Sequence, residues 1–302
     1  MKQISNKNID KLLNRAKKEL TIKEVTVNNE YFEDTINYLK KQNVLSSRNI
    51  KKIFDSNNNT QYPLGYIILN RENNIVGFMG TFFSEKLSKT NKQIFCNIHS
   101  WIVDLKYRIN SFYLLGPVIK KNFNLTAFTP VPTLVGLLVK FGFIEKFLFY
   151  RVVFCLPYLS FFKLDNNLIE EKNIIKTFLK GPDLEIFNSY VKKSYIKILI
   201  KNNKNNKYIF IIGIVIKKKG INIFNIFYVS NTDELKNEWK EIKVLISKKL
   251  NIFFFSEYIV ENHESIFPKN VFFSKKFKKN IYVKTEVAIS QKELLNSDLI
   301  VS

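Results

Sequence analysis

The fold is decided by the stretch Trp101-Ile-Val-Asp-Leu-Lys-Tyr-Arg108-Ile-Asn-Ser111, which joins a strand pattern to a helix pattern. Residues 93–103 are typical of a strand, and residues 111–121 carry apolar side chains at helical spacing. Residues 104–110 form the predicted loop between them. The first turn of a helix offers unpaired N–H groups and a positive dipole end, so this arrangement favours an anion site.

The segments on either side of this stretch predict a small sheet. Residues 66–69 and 75–83 are apolar runs joined by the Asn-rich residues 70–74, which indicates a β-hairpin. Residues 124–128 predict a strand, and residues 133–141 a helix that Gly142 ends. Further predicted elements are a helix over residues 9–20, a long strand over residues 143–155 and a strand over residues 159–164. The fold class is therefore α+β, with a mixed, mostly antiparallel central sheet flanked by helices.

The second half of the chain repeats this scheme. Its predicted elements are strands over residues 196–201, 208–216 and 221–229, a helix over residues 235–250 and a strand over residues 252–255. We interpret this as an internal duplication, although any two segments that mix helices and strands share some order. The predicted domains are residues 1–165, a helical linker over residues 166–190, and a degenerate lobe over residues 191–302.

The order hairpin, strand, loop, helix, strand and helix resembles the GNAT superfamily of acyl-CoA N-acyltransferases. Two stretches carry the resemblance: Trp101–Ser111, and Phe128-Thr-Pro-Val-Pro132 with the later Phe141-Gly142-Phe143. It covers about residues 60–150 and implies a GNAT-like domain that takes acetyl-CoA or another acyl-CoA as substrate. In that family the loop after the strand holds the CoA pyrophosphate on backbone N–H groups.

The resemblance assigns CoA binding to one short run of the chain. The residues concerned are Val103, Leu105, Arg108, Asn110 and Ser111. Arg108 matches the first position of the family motif, while Ser111 stands in place of its first Gly. Tyr113 stands in place of its second Gly or Ala, where a side chain either obstructs the pyrophosphate or turns away.

The resemblance also suggests how acyl transfer would proceed. The backbone amide at or next to Val103 would point at the thioester carbonyl and stabilise the oxyanion. Asn97 stands where some members carry a Glu, so His99 on the same strand face is the better candidate base. Leu138 stands where a Tyr often acts as general acid, and it has no proton to donate. Asn97, Trp101 and Phe128 are the predicted substrate pocket.

Each of these residues also has an ordinary structural interpretation. His99 is equally typical of a packed core histidine, and Arg108 of an exposed loop cation. Ser111 would serve as a plain helix N-cap. Trp101 and Phe128 are typical core aromatics.

Composition limits the other possibilities. The net charge is +22, with 48 basic residues of which only five are Arg, and the basic residues are spread over both halves. This pattern favours a generally basic surface over a dedicated polyanion site, so nucleic acid is a less favoured partner. Two Cys and two His, scattered along the chain, offer no metal spacing. With no apolar leader in the first 20 residues, a cytoplasmic protein without a membrane span is expected.

Three functions therefore stay open. The first is acyl-CoA-dependent transfer to an amine of a small molecule or amino sugar. The second is an aminoacyl-tRNA-dependent transferase, because some of those enzymes have two GNAT-like lobes and a basic chain suits RNA. The third is a non-catalytic GNAT-fold binding protein, suggested by Tyr113 and Leu138.

Overall fold

The structure is a computed structural model of the 302-residue chain. It describes residues 20–43, 50, 54, 61–87, 92–121, 123–128, 130–155, 166–190, 194–203, 207–261, 263–269, 271 and 273–285. The predicted helix over residues 9–20, apart from Leu20, and the predicted strand over residues 159–164 lie outside the described residues.

The described residues contain strands and helices throughout both halves. The strands are β1 (Thr21–Val25), β2 (Gly65–Leu69), β3 (Ile75–Leu87), β4 (Lys92–Val103), β5 (Asn124–Ala127), β6 (Ile144–Phe154), β7 (Asn166–Ile169), β8 (Ile196–Asn202), β9 (Tyr208–Lys218), β10 (Ile221–Val229), β11 (Phe254–Val260) and β12 (Ser274–Lys284). The helices are α1 (Tyr31–Gln42), α2 (Gly116–Lys120), α3 (Pro132–Lys140), α4 (Lys172–Phe178), α5 (Pro182–Ser189), α6 (Thr232–Asn237) and α7 (Trp239–Leu250), with a 3₁₀ helix over Leu105–Leu115.

All of these strands belong to one sheet, in the order β1-β2-β3-β4-β5-β12-β6-β11-β10-β9-β8-β7. Pairing is parallel between β4 and β5 and between β10 and β11, and antiparallel elsewhere. The predicted α+β class with a mostly antiparallel sheet is therefore confirmed. The last strand, β12, lies between β5 and β6, so the two halves of the chain share the middle of the sheet.

The β2–β3 hairpin forms where the Asn-rich turn predicts it. The side-chain oxygen of Asn70 accepts from the backbone N–H groups of Glu72 and Asn74 at 3.0 and 2.8 Å. Asn73 takes a left-handed conformation, with φ 59°, which asparagine tolerates better than most residues. These local bonds close the turn and set the register of the two strands.

The end of α3 is also confirmed in detail. Gly142 has φ 86°, the N–H of Phe143 donates to the carbonyl of Leu138 at 3.0 Å, and that of Gly142 donates to Val139 at 3.0 Å. This is the Schellman arrangement, which needs a residue without a Cβ at the left-handed position. It turns the chain directly into β6.

Three sequence predictions are wrong in extent, and one strand is missed altogether. The helix expected from residue 111 begins at Leu105 as a 3₁₀ helix and becomes α-helical only at Gly116. Pro117 lies in the first turn of the α-helix, where its missing N–H costs no helical hydrogen bond. The helix expected over residues 235–250 is broken at Glu238 into α6 and α7. The strand expected over residues 252–255 is β11, which continues to Val260. The strand β12 is not predicted at all, since its Lys-rich sequence lacks a strand pattern.

Helices cover both faces of the sheet. On one face, residues of the 3₁₀ helix, α2 and α3 pack against β2–β5, and residues of α6 and α7 pack against β8–β11. On the other face, α1 packs on Ile67 and Leu69 of β2, while α4 and α5 pack on Leu199 and Phe210. Strand alternation accounts for this division, because neighbouring residues of each strand point to opposite faces.

Candidate functional site

The two central parallel strands of the first half separate near their ends. β5 pairs with β4 only from Phe95↔Asn124 to Asn97↔Thr126, although β4 continues to Val103. Beyond that point the strands enclose a cleft of about 190 Å³. Its walls are Ile98, His99, Ser100, Trp101, Ile102, Ala127, Pro130, Val131, Leu134 and Leu138. None of these side chains carries a formal charge at neutral pH.

A β-bulge shapes the β4 wall of the cleft. His99 lies opposite Gly80 and Ile102 opposite Phe78, so β4 has one extra residue between these pairs. Ser100, inside the bulge, has φ 44°. A Cβ on Gly80 would lie 2.3 Å from Cε1 of His99, so the glycine is required where the imidazole crosses β3.

The backbone of Val103 faces the cleft side of β4. The N–H of Asp104 donates to the carbonyl of Val76 on β3 at 2.9 Å. Because N–H groups of successive strand residues point to opposite sides, the N–H of Val103 points away from β3. That is the side on which β5 has separated, where the family resemblance implies an amide for the thioester carbonyl.

His99 lines the cleft and is neutral at physiological pH. Burial lowers the pKa of His99 to about 4, and a hydrogen bond with the backbone of Thr81 opposes this only in part. Its Nδ1 lies 3.0 Å from the hydroxyl oxygen of Ser100. The imidazole is thus available to accept a proton, but as a weak base.

The other predicted pocket residues are placed differently from one another. Trp101 lines the cleft, and its buried indole N–H has no hydrogen-bond partner among the described residues. Asn97 is buried at the apex, where its Oδ1 accepts from the hydroxyl of Thr126 at 3.1 Å. Phe128 packs with Leu148 and neighbouring apolar residues of β12 and is not part of the cleft wall.

The 3₁₀ helix carries four of the five residues that the family resemblance assigns to CoA, and the fifth, Val103, ends β4. Arg108 is exposed, as is Leu105 with 78% of its surface accessible, while Asn110 and Ser111 are half-buried. Ser111 lies inside this helix, so it is not a helix N-cap. Tyr113 turns inward and is 8% exposed in the main core, so its side chain leaves the outer surface of the helix free.

The entrance to this helix is attached to α1. The carboxylate of Asp104 accepts hydrogen bonds from the hydroxyl of Tyr38 at 3.0 Å and from Nε2 of Gln42 at 2.7 Å. Burial, followed by the Asp104 charge, raises the pKa of Tyr38 well above its ordinary value, so the phenol keeps its proton. No pattern in the sequence indicates this contact, which joins residues more than 60 positions apart.

The described residues of the cleft wall include no tyrosine that could act as general acid. Leu138 occupies that wall and is 1% exposed. Tyr107 packs against the main core, and Tyr150 lies on β6 beside Tyr258. Within the cleft wall, the side chains that can form hydrogen bonds are therefore His99, Ser100 and Trp101.

The helix that follows β10 in the second half begins with acidic residues, which disfavour an anion there. Asn231 caps α6 by accepting from the N–H of Glu234 at 3.0 Å, and Asp233 and Glu234 occupy the first helical turn. Carboxylates there occupy the positive end of the helix and repel a phosphate. Over the ranges that the structure describes, no three His, Cys, Asp or Glu side chains are grouped to hold a metal, and no helix is long and apolar enough to cross a membrane.

Similarity to known proteins is found in structure and not in sequence. No protein-family model and no curated protein sequence matches the chain. A GCN5-related N-acetyltransferase from Anabaena variabilis ATCC 29413 matches with a TM-score of 0.57 and 11% identity, over 87% of this chain and 72% of that one. A second one, from Kribbella flavida, matches with a TM-score of 0.54 and 11% identity, over 89% of this chain and 71% of that one. A probable N-acyltransferase from Enterococcus faecalis V583 matches with a TM-score of 0.55 and 10% identity, over 87% of this chain and 71% of that one.

These likenesses cover most of the chain, and the chain has the GNAT fold. At this level of identity they show the fold alone. The resemblance found in residues 60–150 is therefore confirmed as a resemblance of fold, whereas the roles of the individual site residues stay predictions.

Proposed function

We propose that this protein is an acyl-CoA-dependent N-acyltransferase whose site is the cleft between β4 and β5. The observation that carries the proposal is the separation of these strands after Asn97 and Thr126, next to the outward-facing amide of Val103. The fold it shares with GCN5-related N-acetyltransferases supports the same reaction class. The thioester would enter the cleft, and the pyrophosphate would lie at the 3₁₀ helix, with Arg108 on its exposed surface.

In this proposal the amide of Val103 stabilises the developing oxyanion. Attack of an amine on a thioester carbonyl places negative charge on the carbonyl oxygen. A backbone N–H held by an adjacent strand hydrogen bond needs no reorganisation to receive it. The indole N–H of Trp101, which lacks a partner among the described residues, is the second donor on the same wall.

His99 would carry the proton from the amine to the leaving sulfur. Its imidazole is neutral at pH 7, because burial holds its pKa at about 4, so it can take the proton that the amine loses as the C–N bond forms. The resulting imidazolium is strongly acidic and returns the proton to the thiolate when the C–S bond breaks. This route needs no tyrosine and accommodates Leu138 in the cleft.

The lining also favours an uncharged acceptor group. Apart from His99 and Ser100, the eight described wall residues are apolar or aromatic, and none of the described wall residues carries a carboxylate that could hold an ammonium ion. An amine would therefore enter in its neutral form, as nucleophilic attack requires. The acceptor that we propose is a small amine or an amino sugar.

The test combines binding and turnover. Thermal stability would be measured with a series of acyl-CoAs for the wild type, Arg108→Ala and the matched control Arg71→Ala in the β2–β3 turn. Saturating ligand at about 100 times its dissociation constant should stabilise the wild type and control by about 2.7 kcal/mol, and Arg108→Ala by less. Release of the CoA thiol with a panel of amines then reports transfer. Absence of any shift with every acyl-CoA would reject the proposal.

A non-catalytic GNAT-fold protein is the second candidate, favoured by one observation. Leu138 takes the place of a proton donor in a cleft whose histidine is only a weak base. Under this alternative an acyl-CoA stabilises the protein and Arg108→Ala reduces the effect, yet no amine releases thiol. His99→Gln would then leave ligand binding and the absence of turnover unchanged.

We also infer that residues 191–302 form a degenerate second GNAT-like lobe after residues 1–165, with residues 166–190 between them. The strand order β8-β9-β10 with a parallel β11 corresponds to that of β2-β3-β4 with a parallel β5. The acidic first turn of α6 supports a lobe that does not bind CoA. Acyl-CoA protection from hydrogen exchange confined to β4 and the 3₁₀ helix would support this division, and protection at β10 and α6 would contradict it.

A further inference from the structure

The middle of the sheet has one face on which no described helix packs. We call this the central face and define it by the odd-numbered residues of β12 from Lys275 to Val283 with the residues of β6 and β11 beside them. Tyr282, on the opposite face of β12, belongs to the core under the 3₁₀ helix and α3. On the central face, Phe128, Leu148, Ile281 and Val283 form a small cluster without a helical residue.

Aromatic rings form a row across this face. Phe277 of β12 lies opposite Tyr150 of β6, which lies opposite Tyr258 of β11. The ring centroids of Phe277 and Tyr150 are 6.4 Å apart, and those of Tyr150 and Tyr258 are 4.9 Å apart. Phe277, at the edge of the row, keeps 45% of its surface exposed, although a large apolar side chain in the middle of a sheet is usually covered.

Lysine side chains surround the row. Nζ of Lys275 lies 5.2 Å from the ring of Phe277, and Nζ of Lys218 lies 5.4 Å from the ring of Tyr150. Lys279 is exposed two residues along β12. By strand alternation, Lys146 shares this face, and none of the face-sharing residues of β12, β6 and β11 is Asp or Glu. The lysines are thus locally concentrated around one exposed aromatic ring, Phe277, and the half-buried ring of Tyr150 beside it.

The reverse side of the same strand segment is basic as well. Lys276 lies over the ring of Phe149 at 3.9 Å and Lys278 over that of Phe147 at 3.3 Å. Among the described residues, the side of Ser274–Ile281 away from β6 has no strand partner, because β5 pairs only with Tyr282–Lys284. A basic, aromatic strand about 20 Å long therefore runs along an open edge.

The position of the central face decides between two kinds of anionic partner. The helices α1 on one side and α4 and α5 on the other pack on this same side of the sheet. Residues of β2 and β3 pack with α1, and residues of β8, β9 and β10 pack with α4 and α5. Five strands therefore lie between the covered ones, a width of about 24 Å, and each helix stands about 10 Å above the sheet. A flat lipid surface would meet the helices before it met Phe277, whereas a flexible chain of nucleotides fits between them.

We propose that the central face binds single-stranded nucleic acid, with bases on Phe277 and Tyr150 and phosphates on Lys275, Lys279 and Lys218. Aromatic rings on an open sheet face accept bases of any sequence by stacking, and lysines along the same path hold the backbone. This inference stands on residues outside the cleft and does not depend on acyl transfer.

The experiment measures fluorescence anisotropy of a labelled 15-nucleotide oligo(U) RNA between 50 and 300 mM salt. The variants are Lys275→Gln with Lys279→Gln, and Phe277→Leu, which keeps an apolar side chain and loses the ring. The matched control is Lys240→Gln with Lys248→Gln on α7, where two exposed lysines are lost on the opposite face. Melting temperatures confirm that each variant is folded.

We expect the first double variant to bind about tenfold more weakly at 100 mM salt, with a salt slope reduced by about 1.4 for two lost phosphate contacts. Phe277→Leu should weaken binding about fivefold or more, because leucine does not stack. The control should stay within about twofold of the wild type. Equal losses in the control, or no RNA binding at 50 mM salt, would overturn the proposal. Binding to phosphatidylserine vesicles that RNA cannot displace would assign the face to membranes instead.

Discussion

The two halves of this chain share one polar pair at the same place in the sheet. In the first half, Asn97 of β4 lies beside Thr126 of the parallel β5, and the threonine hydroxyl donates to Oδ1 of the asparagine at 3.1 Å. In the second half, Asn225 of β10 lies beside Ser256 of the parallel β11, with the same bond at 3.0 Å. All four residues are buried.

A glycine opposite a bulged strand recurs as well. Gly80 lies opposite His99 at the bulge of β4, and Gly213 lies opposite Ile226 at the bulge of β10. The halves therefore keep the same backbone at the end of their third long strand. The difference lies in the side chain at the bulge, an imidazole in one half and an aliphatic group in the other.

The halves diverge after the parallel strand. Beyond β5, α3 leaves the cleft open, whereas beyond β11 the chain folds back over the strand end. The carboxylate of Glu257 accepts from the N–H of Ile266 at 2.9 Å and from the hydroxyl of Ser265, which in turn accepts from Arg151. The ring of Phe267 packs against that of Trp239, with the two ring centroids 4.8 Å apart. The comparison indicates that the same arrangement of parallel strands forms a cleft in the first half, where no described segment covers the strand ends. In the second half it forms part of the core, because the chain after β11 covers them.

The largest loss of stability is expected from a substitution at the Arg151–Glu257 pair, where the chain covers the end of β11. Arg151→Met removes the cation that lies 3.8 Å from the buried Glu257 carboxylate, and it should destabilise the protein by about 3 kcal/mol. Burial already raises the pKa of Glu257 above its ordinary value, so without Arg151 the carboxyl should be protonated more readily. Urea unfolding should then show stability that falls as pH rises through the folded pKa.

The same variant sharpens the comparison through ligand binding. If the closed half is structural, Arg151→Met should leave the acyl-CoA stabilisation of the first half intact. Lys146→Met, on the same strand but exposed, is the control and should change stability by less than about 0.5 kcal/mol. A loss of acyl-CoA binding in Arg151→Met that the control does not share would show that the halves do not act separately.

Gly80→Ala and Gly213→Ala should both lower stability, but they should differ in their effect on activity. A Cβ at Gly80 would meet the His99 ring at 2.3 Å, and one at Gly213 would meet the backbone oxygen of Asn225 at 2.6 Å. Both should cost about 1–3 kcal/mol by overpacking, with the larger cost at Gly213, where backbone must move. Only Gly80→Ala should reduce thiol release, because it displaces the imidazole in the cleft.

Gly136→Ala on α3 controls for the loss of a glycine, since a Cβ there meets nothing within 4 Å. It should be neutral or slightly stabilising, as alanine favours a helix. Equal reductions of thiol release by Gly80→Ala and Gly213→Ala would contradict a site confined to the first half.

The polar pairs should give smaller and nearly equal effects. Asn97→Ala and Asn225→Ala each leave a buried hydroxyl without its acceptor, at a cost of about 1–2 kcal/mol in chemical denaturation. Since Asn97 lies at the apex of the cleft, its variant should also weaken acyl-CoA binding, whereas the Asn225 variant should not. Asn222→Ala, exposed on β10, is the control for substitution alone. Unequal stability losses would argue against equivalent positions.

Local chemistry explains which parts of this fold could be predicted. The β2–β3 turn follows from Asn70 and Asn73, and the end of α3 follows from Gly142, because each depends on residues within one turn of chain. The strand β12 could not be found in this way. Its exposed residues Ser274–Asn280 have no hydrophobic alternation, and the strand is held by β6, more than 100 residues earlier.

The candidate site shows the same limit. Strand alternation predicts that His99 and Trp101 share one face of β4, and this is wrong because the bulge at Ser100 adds a residue between them. His99 lies opposite Gly80 on the face that α1 covers, whereas Trp101 packs with Val103 against the main core on the other face, although both line the cleft.

Strand alternation could not place Phe128, because the chain leaves the strand after Ala127 and the ring joins residues of β12. Nor could it indicate that Tyr38 and Gln42 hold Asp104, since that contact depends on how α1 packs on the sheet.

The smallest effect concerns the imidazole that distinguishes the two bulges. His99 stays neutral when folded, with a pKa of about 4, but titrates near 6.5 when unfolded. Below pH 6.5 the unfolded chain therefore binds a proton that the native state does not, so stability must fall as pH falls. From pH 6.5 to 5.5 this contribution is about 1 kcal/mol, and it ends near the folded pKa.

His99→Ile copies the residue of the second half and should remove this part of the acid sensitivity, which urea unfolding at the two pH values would measure. His263→Ile, the exposed histidine near the end of β11, is the control and should keep the wild-type dependence. If His99→Ile retained the full pH dependence, the imidazole would be as accessible to protons in the native state as in the unfolded one. His99 would then titrate near neutrality, as a stronger base than its burial against Gly80 implies.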